Sequence, residues 1–338
     1  MKKLLLALFA FLLAMTPQAK SVDDAPLKLV QSVDLPNYSG DFDHFAVDLD
    51  GKRLFLAAED HGTVEVFNLN SGTKMRTIEG FEAPHSFLFM PQADRLLVTD
   101  SGKGLSKILD ANSFKVIKTV QITPGADSIG FDRGAHQLYI VTGGKDVQMD
   151  HSFLSIVDPV NGKHLGDIPF DANHVEAMAI EQNGQRLFIN VTDQNHIAVI
   201  DKNKRQIIDR WPVNECQQNS PIALDEPNHR LFVVCRKPGM LVVFDTSTGK
   251  SVASLPAPER ADDVAFDAQR HRVYITGGEG YIGVYQQKDA DHYELISKVP
   301  SAVGAKTALL VPQLNRLYVA VSPGEGKVGA KVLTFQVE

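Results

Sequence analysis

Apolar residues along this chain fall in short runs, alternating or continuous, separated by polar turns, and no stretch sustains the 3.6-residue apolar period of an amphipathic helix. Strands are therefore predicted nearly throughout. One phrase recurs seven times: a polar turn, Arg or Gln, Leu or Val, an aromatic residue or Leu, then a β-branched residue or Leu. Its copies are Arg53-Leu54-Phe55-Leu56, Arg95-Leu96-Leu97-Val98, Gln137-Leu138-Tyr139-Ile140, Arg186-Leu187-Phe188-Ile189, Arg230-Leu231-Phe232-Val233, Arg272-Val273-Tyr274-Ile275 and Arg316-Leu317-Tyr318-Val319. Successive copies lie 42, 42, 49, 44, 42 and 44 residues apart. A period of about 40–45 residues with four strands per unit predicts a propeller rather than a helical solenoid.

Each unit reads as strands A to D. Strand A ends in an apolar residue followed by an acid, as at Val47-Asp48, Phe131-Asp132, Ile180-Glu181, Leu224-Asp225 and Phe266-Asp267. Strand B is the counted phrase, strand C is apolar (63–67, 197–200, 241–244), and strand D (75–78, 116–122, 251–255) follows a turn rich in Asn, Ser, Thr and Gly. The seventh unit ends after its third strand, 331–337, whereas an unassigned strand-like segment, 27–35, precedes the first. The expected fold is thus all-β: a seven-bladed β-propeller of four-stranded antiparallel blades, its ring closed by the N-terminal strand completing the last blade. Closure of this kind removes two exposed sheet edges.

These units resemble the YVTN-type seven-bladed β-propeller repeat family and are similar to its exported, YncE-like bacterial group. The turn Asp50-Gly51-Lys52-Arg53, the strand Tyr139-Ile140-Val141-Thr142 and the turn Asp245-Thr246-Ser247-Thr248-Gly249-Lys250 carry the likeness. The Asn that closes the family's strand is generally missing here, and the C–D turns at 201–205 and 286–289 lack the Thr-Gly pair. Such motifs are structural, since Gly supplies positive φ and Asp or Thr bonds turn amides, so the resemblance implies the fold and leaves activity open.

The 338-residue composition is that of an ordinary globular chain, 43% hydrophobic and 22% charged, which excludes disordered and fibrous classes. Met1-Lys2-Lys3, the apolar run 4–15 and the small residues ending Ala19-Lys20-Ser21 have the layout of a secretory signal peptide. Residues 1–21 are expected to be removed, leaving 22–338 as one propeller domain, periplasmic or secreted. Later apolar runs are too short to span a bilayer as helices. Without Lys2, Lys3 and Lys20, 31 basic residues face 41 acidic ones, a net charge of −10. That balance, with a single Trp211, disfavours nucleic-acid partners.

In a propeller the D–A and B–C loops share one face. Four positions before the last apolar residue of strand A, the units place Asp43, His85, Asp127, Glu176, Ser220, Asp262 and Lys306, a ring of six ionisable groups and one Ser. His44, His174 and Asp263 lie beside it, and the B–C loops add Glu59, Asp60, His61, Asp100, Asp193 and Arg236. Imidazoles and carboxylates converging on one axis suit a divalent cation, with His44, His85, Asp127 and His174 as candidate ligands. They also suit a small ligand, a glycan or a protein held by Asp43, His44, His85, Asp127, Glu176, Asp262 and Lys306, or simple solvation of a wet channel mouth.

The leading expectation is a noncatalytic binding propeller, expected to be monomeric. The alternative is a lactonase-like hydrolase in which His85 or His174 is the base, Asp127 or Glu176 orients it, and Lys306 or Arg236 steadies negative charge. The sequence holds no Cys-x-x-Cys-His for covalent haem, no Gly-x-Ser-x-Gly elbow and no nucleotide-binding fingerprint.

His136, His229 and His271 precede the counted phrase and belong to A–B turns on the opposite face, while His164 and His292 fall near strand D. His61, His151 and His196, in B–C loops, are second-rank candidates. Two B–C loops are long, 142–152 and 321–330, and the second reads as a flexible hairpin rather than a phosphate loop because no Ser or Thr follows its Lys. Cys216 and Cys235 share one face of blade five and are expected to form a disulfide.

Overall fold

The computed structural model describes residues 25–103, 105–323 and 329–338. The proposed signal peptide lies outside the described residues, as does much of the 321–330 loop. Seven four-stranded antiparallel sheets follow one another along the chain. Blade 1 consists of Phe45–Asp48, Arg53–Ala58, Thr63–Asn68 and Lys74–Ile78 as strands A to D. Blades 2 to 6 repeat this order, with strands B at Arg95–Asp100, Gln137–Gly143, Arg186–Val191, Arg230–Lys237 and Arg272–Gly277. Blade 7 takes Thr307–Val311, Arg316–Val321 and Lys331–Val337 from the C-terminus and Leu27–Asp34 from the N-terminus as its outermost strand. That strand pairs antiparallel with the last one, Leu27 opposite Val337 and Asp34 opposite Lys331, so the ends of the ring are hydrogen-bonded together as expected.

The repeated phrase is apolar on both sides because strand B is buried between two neighbours. In blade 1, Leu54, Leu56 and Ala58 pack toward blade 7, while Phe55 and Ala57 pack toward blade 2. The same alternation gives seven interblade clusters, each built from two adjacent blades. The third position of the phrase always faces the following blade, which explains its aromatic preference: one large ring fills the wedge between two twisted sheets.

The Arg of the phrase has a separate role that the pattern alone did not disclose. Arg53 donates to the carbonyl of Ala111, Arg186 to that of Thr246 at 2.5 Å, Arg230 to that of Ala290 at 3.0 Å and Arg272 to that of Glu338 at 2.5 Å. Each acceptor lies just past strand C of the next blade. Arg53 and Arg186 also hold the acid that ends their own strand A, Asp48 at 2.5 Å and Glu181 at 2.5 Å. Sequence turn and interblade latch are thus one device. Between blades 3 and 4, where Gln137 replaces Arg, Lys202 reaches back to Asp132 at 2.8 Å.

Cys216 and Cys235 form the expected disulfide, with Cα atoms 6.0 Å apart, tying the chain before strand A of blade 5 to its strand B. No helix among the described residues is long and apolar enough to cross a membrane.

Candidate functional site

The ring residues reach the channel through an irregularity in strand A. Register shifts lie between Pro84 and Phe87, Val175 and Met178, Asn219 and Ile222, and Ala261 and Asp263, and they bracket His85, Glu176, Ser220 and Asp262. In blade 1 the Asp43 amide donates to the Ala57 carbonyl while the Ala57 amide donates to the His44 carbonyl, so two residues oppose one. Asp127 and Ser128 oppose Val141 in the same way in blade 3. A bulge of this kind leaves one residue unpaired and re-aims its side chain. Neighbouring residues, such as Asp43 and His44, can then both face the axis.

Asp43, His44, His85, Asp127, Glu176, Asp262 and Lys306, all expected at the mouth, line one cavity of about 200 Å³. Ser220 does not join them; it is buried, and its carbonyl accepts a hydrogen bond from Asn190. Glu59 enters from a B–C loop, Arg236 from the end of strand B of blade 5 rather than from the loop expected for it, and Asp146 from the long loop of blade 3. Asp41 and Lys145 also belong to the site and sit in loops where no repeat position marked them. Of the second-rank histidines, His61 stacks on Tyr38 at 4.5 Å, His151 pairs with Asp150 at 2.6 Å and His196 is buried, and none lines the cavity. His136, His229 and His271 are exposed in A–B turns at φ 51°, 55° and 52°.

The mouth divides into two chemical halves. On the side of blades 1 to 3, Asp43 Oδ2 lies 2.5 Å from His85 Nδ1, and Asp43 Oδ1 lies 3.5 Å from His44 Nε2. Asp127 approaches His85 Nδ1 at 3.6 Å, Glu59 approaches His85 Nε2 at 3.7 Å, and Asp263 approaches His44 Nδ1 at 3.5 Å. Two sets of three groups, Asp43 with His44 and Asp127, and Asp43 with Glu59 and His85, each bring three ligand atoms within 4.8 Å of one another. Ligands about 2.1 Å from a tetrahedral ion stand about 3.4 Å apart, which the 3.5 Å Asp43–His44 and 3.7 Å Glu59–His85 approaches match, while the 2.5 Å Asp43–His85 contact is that of a hydrogen bond.

On the other side two of the three cations are tied to acids. Lys306 lies 2.6 Å from Asp262 and 2.8 Å from Asp41. Arg236 holds Asp262 and stands 3.7 Å from Glu176, whose other partner is His174 at 2.6 Å. Lys145 closes this group 3.0 Å from His174 Nε2. His174 thus belongs to the Glu176 group and lies in neither three-residue cluster.

Titration reflects the crowding. Burial works against the charge of Asp43, yet His44, the hydrogen bond from His85 and Lys306 outweigh it and bring its pKa down to about 2. Burial likewise works against protonated His85, but its bond to Asp43 and the neighbouring Asp127 and Glu59 push it up to about 10. His44 is raised by Asp43 and Asp263 against the same burial. Burial and then the surrounding carboxylates push Asp127 up to about 6 and Glu59 up to about 7, with His85 opposing both. Both histidines are thus held toward their protonated forms while no cation is bound.

No family model matches the chain. A curated relative described as the uncharacterized protein YncE of Salmonella typhimurium is 25% identical over 194 residues, 56% of this chain. The chain spans about half the length of that relative, 52%. Among solved structures, Kuenenia stuttgartiensis hydrazine synthase aligns with a TM-score of 0.74 at 14% identity, over 89% of this chain and 98% of that one. U3-55K aligns with a TM-score of 0.74 at 14% identity, over 93% and 99%. The structural likenesses establish the fold, and the sequence match establishes a distant relation to YncE-like proteins over part of the chain.

Proposed function

We propose that this chain is an exported, noncatalytic binding propeller whose channel mouth takes up one divalent cation through Asp43, His44, His85, Asp127 and Glu59. Asp43 carries the proposal: it belongs to both groups of closely spaced ligand atoms, one with His44 and Asp127 and one with Glu59 and His85. Two nitrogen and three oxygen donors favour Zn or Mn over Ca, which prefers an all-oxygen shell. The other half of the mouth, with Lys306, Arg236 and Glu176 locked in mutual pairs, supports binding rather than turnover. Export rests on the charged and apolar pattern of residues 1–21 and is consistent with the disulfide.

Calorimetric titration of metal-free protein with Zn, Mn and Ca tests this reading. One Zn or Mn per chain is expected, with Asp43→Asn weakening it by about a hundredfold as both ligand sets lose their shared member. Equal affinity in wild type and Asp43→Asn, or failure of all three ions to bind, would overturn it.

A further inference from the structure

The junction between blades 2 and 3 departs from the other six in the side chain that fills its wedge. Six units carry an aromatic residue at the third position of the strand B phrase, and blade 2 has Leu97 there. Leu97 packs into the blade 2–3 cluster, the place that Phe55 occupies between blades 1 and 2 and Phe188 between blades 4 and 5. Here, as with Arg316 of blade 7, the Arg does not reach the next blade: Arg95 turns onto its own blade, 3.3 Å from the Asp94 carbonyl and 3.8 Å from Asp110. By position its acceptor would be the carbonyl of Pro159.

An open cavity of about 790 Å³ lies at this junction, on the face opposite the metal cluster. Leu88, Phe89, Met90, Phe131, Pro159 and Val160 give it apolar walls, and Val160 is 61% exposed. Arg133 and His136 stand at its edge, and neither side chain has an ion-pair or hydrogen-bond partner among the described residues. No carboxylate lines it, in a chain where acids outnumber bases by 41 to 34. A volume of this size matches small-molecule pockets, which run from about 300 to 1,000 Å³.

We infer that this cavity is a second binding site, for an amphipathic organic anion whose apolar body lies between blades 2 and 3 and whose carboxylate or sulfonate meets Arg133. Its chemistry is complementary on both counts: apolar walls exclude charge, and an unpaired guanidinium at the mouth of an acid-free pocket selects an anionic head. The site is independent of the metal reading.

Fluorescence titration with the anionic probe 1-anilinonaphthalene-8-sulfonate and the neutral N-phenyl-1-naphthylamine tests it, with decanoate as competitor. Saturable binding of one probe per chain, displaced by decanoate and unaffected by chelator, is expected. Val160→Asp, at an exposed position of the cavity wall, should weaken both probes by about tenfold. Arg133→Gln should weaken the anionic probe about threefold to tenfold and leave the neutral one unchanged. Unsaturable binding, or affinity that Val160→Asp leaves unaltered, would overturn the inference. So would a concentration-dependent dimer in light scattering that Val160→Asp dissolves, since a second copy would then cover the groove.

Discussion

A carboxylate partly buried beside two imidazoles, as Asp43 is, keeps its charge most readily when at least one of them keeps a proton. This sets the pH dependence of the metal-free protein. His85 is raised from 6.5 to about 10, so its stabilising effect is fully present below pH 6.5 and is lost as pH climbs toward 10. Asp127 and Glu59, raised to about 6 and about 7, act with the same sign, because the folded state holds their protons more tightly than the unfolded chain does. Urea denaturation of metal-free protein at pH 6, 8 and 9.5 should therefore show declining stability, with a shallower decline in His85→Gln. A rise over that range in wild type, or an identical slope in the variant, would contradict the assignment. The ring position was legible in the sequence because it sits at a fixed distance from the end of strand A. Asp41, Lys145 and Asp146 were not, because they enter from loops that follow no repeat.

Among elements, strand B and its leading Arg do the most work. The apolar repeat was readable because a strand buried on both sides must be apolar throughout. The Arg latch was not, because its acceptor is a backbone carbonyl about 60 residues away, which leaves no trace in residue identity. Arg186→Leu strands the nearly buried Glu181 carboxylate and removes the bond to Thr246, and should cost about 2–4 kcal/mol in chemical denaturation. Arg95→Leu, where no latch exists, should cost less than about 1 kcal/mol. Equal costs would mean that the latch contributes nothing. The bulges of strand A were likewise hidden. The pattern showed where the ring residues fall, while the turning of Asp43 and His44 toward one axis depends on two residues opposing Ala57.

For the whole molecule, the outcome hangs on closure. The N-terminal strand contributes Leu27, only 2% exposed, to the cluster between blades 6 and 7 and covers the last C-terminal strand. Leu27→Asp places a charge in that cluster and should lower stability by more than about 3 kcal/mol, read from a denaturation midpoint, whereas Leu29→Asp, at a 55% exposed position of the same strand, should change it by less than about 1 kcal/mol. Opening the disulfide with Cys216→Ser and Cys235→Ser together should cost about 2–4 kcal/mol, since 19 residues of separation are no longer closed in the unfolded chain. Both expectations follow from a ring in which seven weakly distinct blades share one continuous set of interfaces.

Closure also brings the first three blades close enough for their acids and histidines to meet, and that meeting is where the functional proposal stands or falls. The most direct measurement is an anomalous-scattering map from crystals grown with Mn or Zn. A single strong peak is expected within ligand distance of Asp43, with His44, His85 and Asp127 or Glu59 completing its shell. A mouth without such a peak in crystals of metal-saturated protein, or a peak held by other residues, would contradict it.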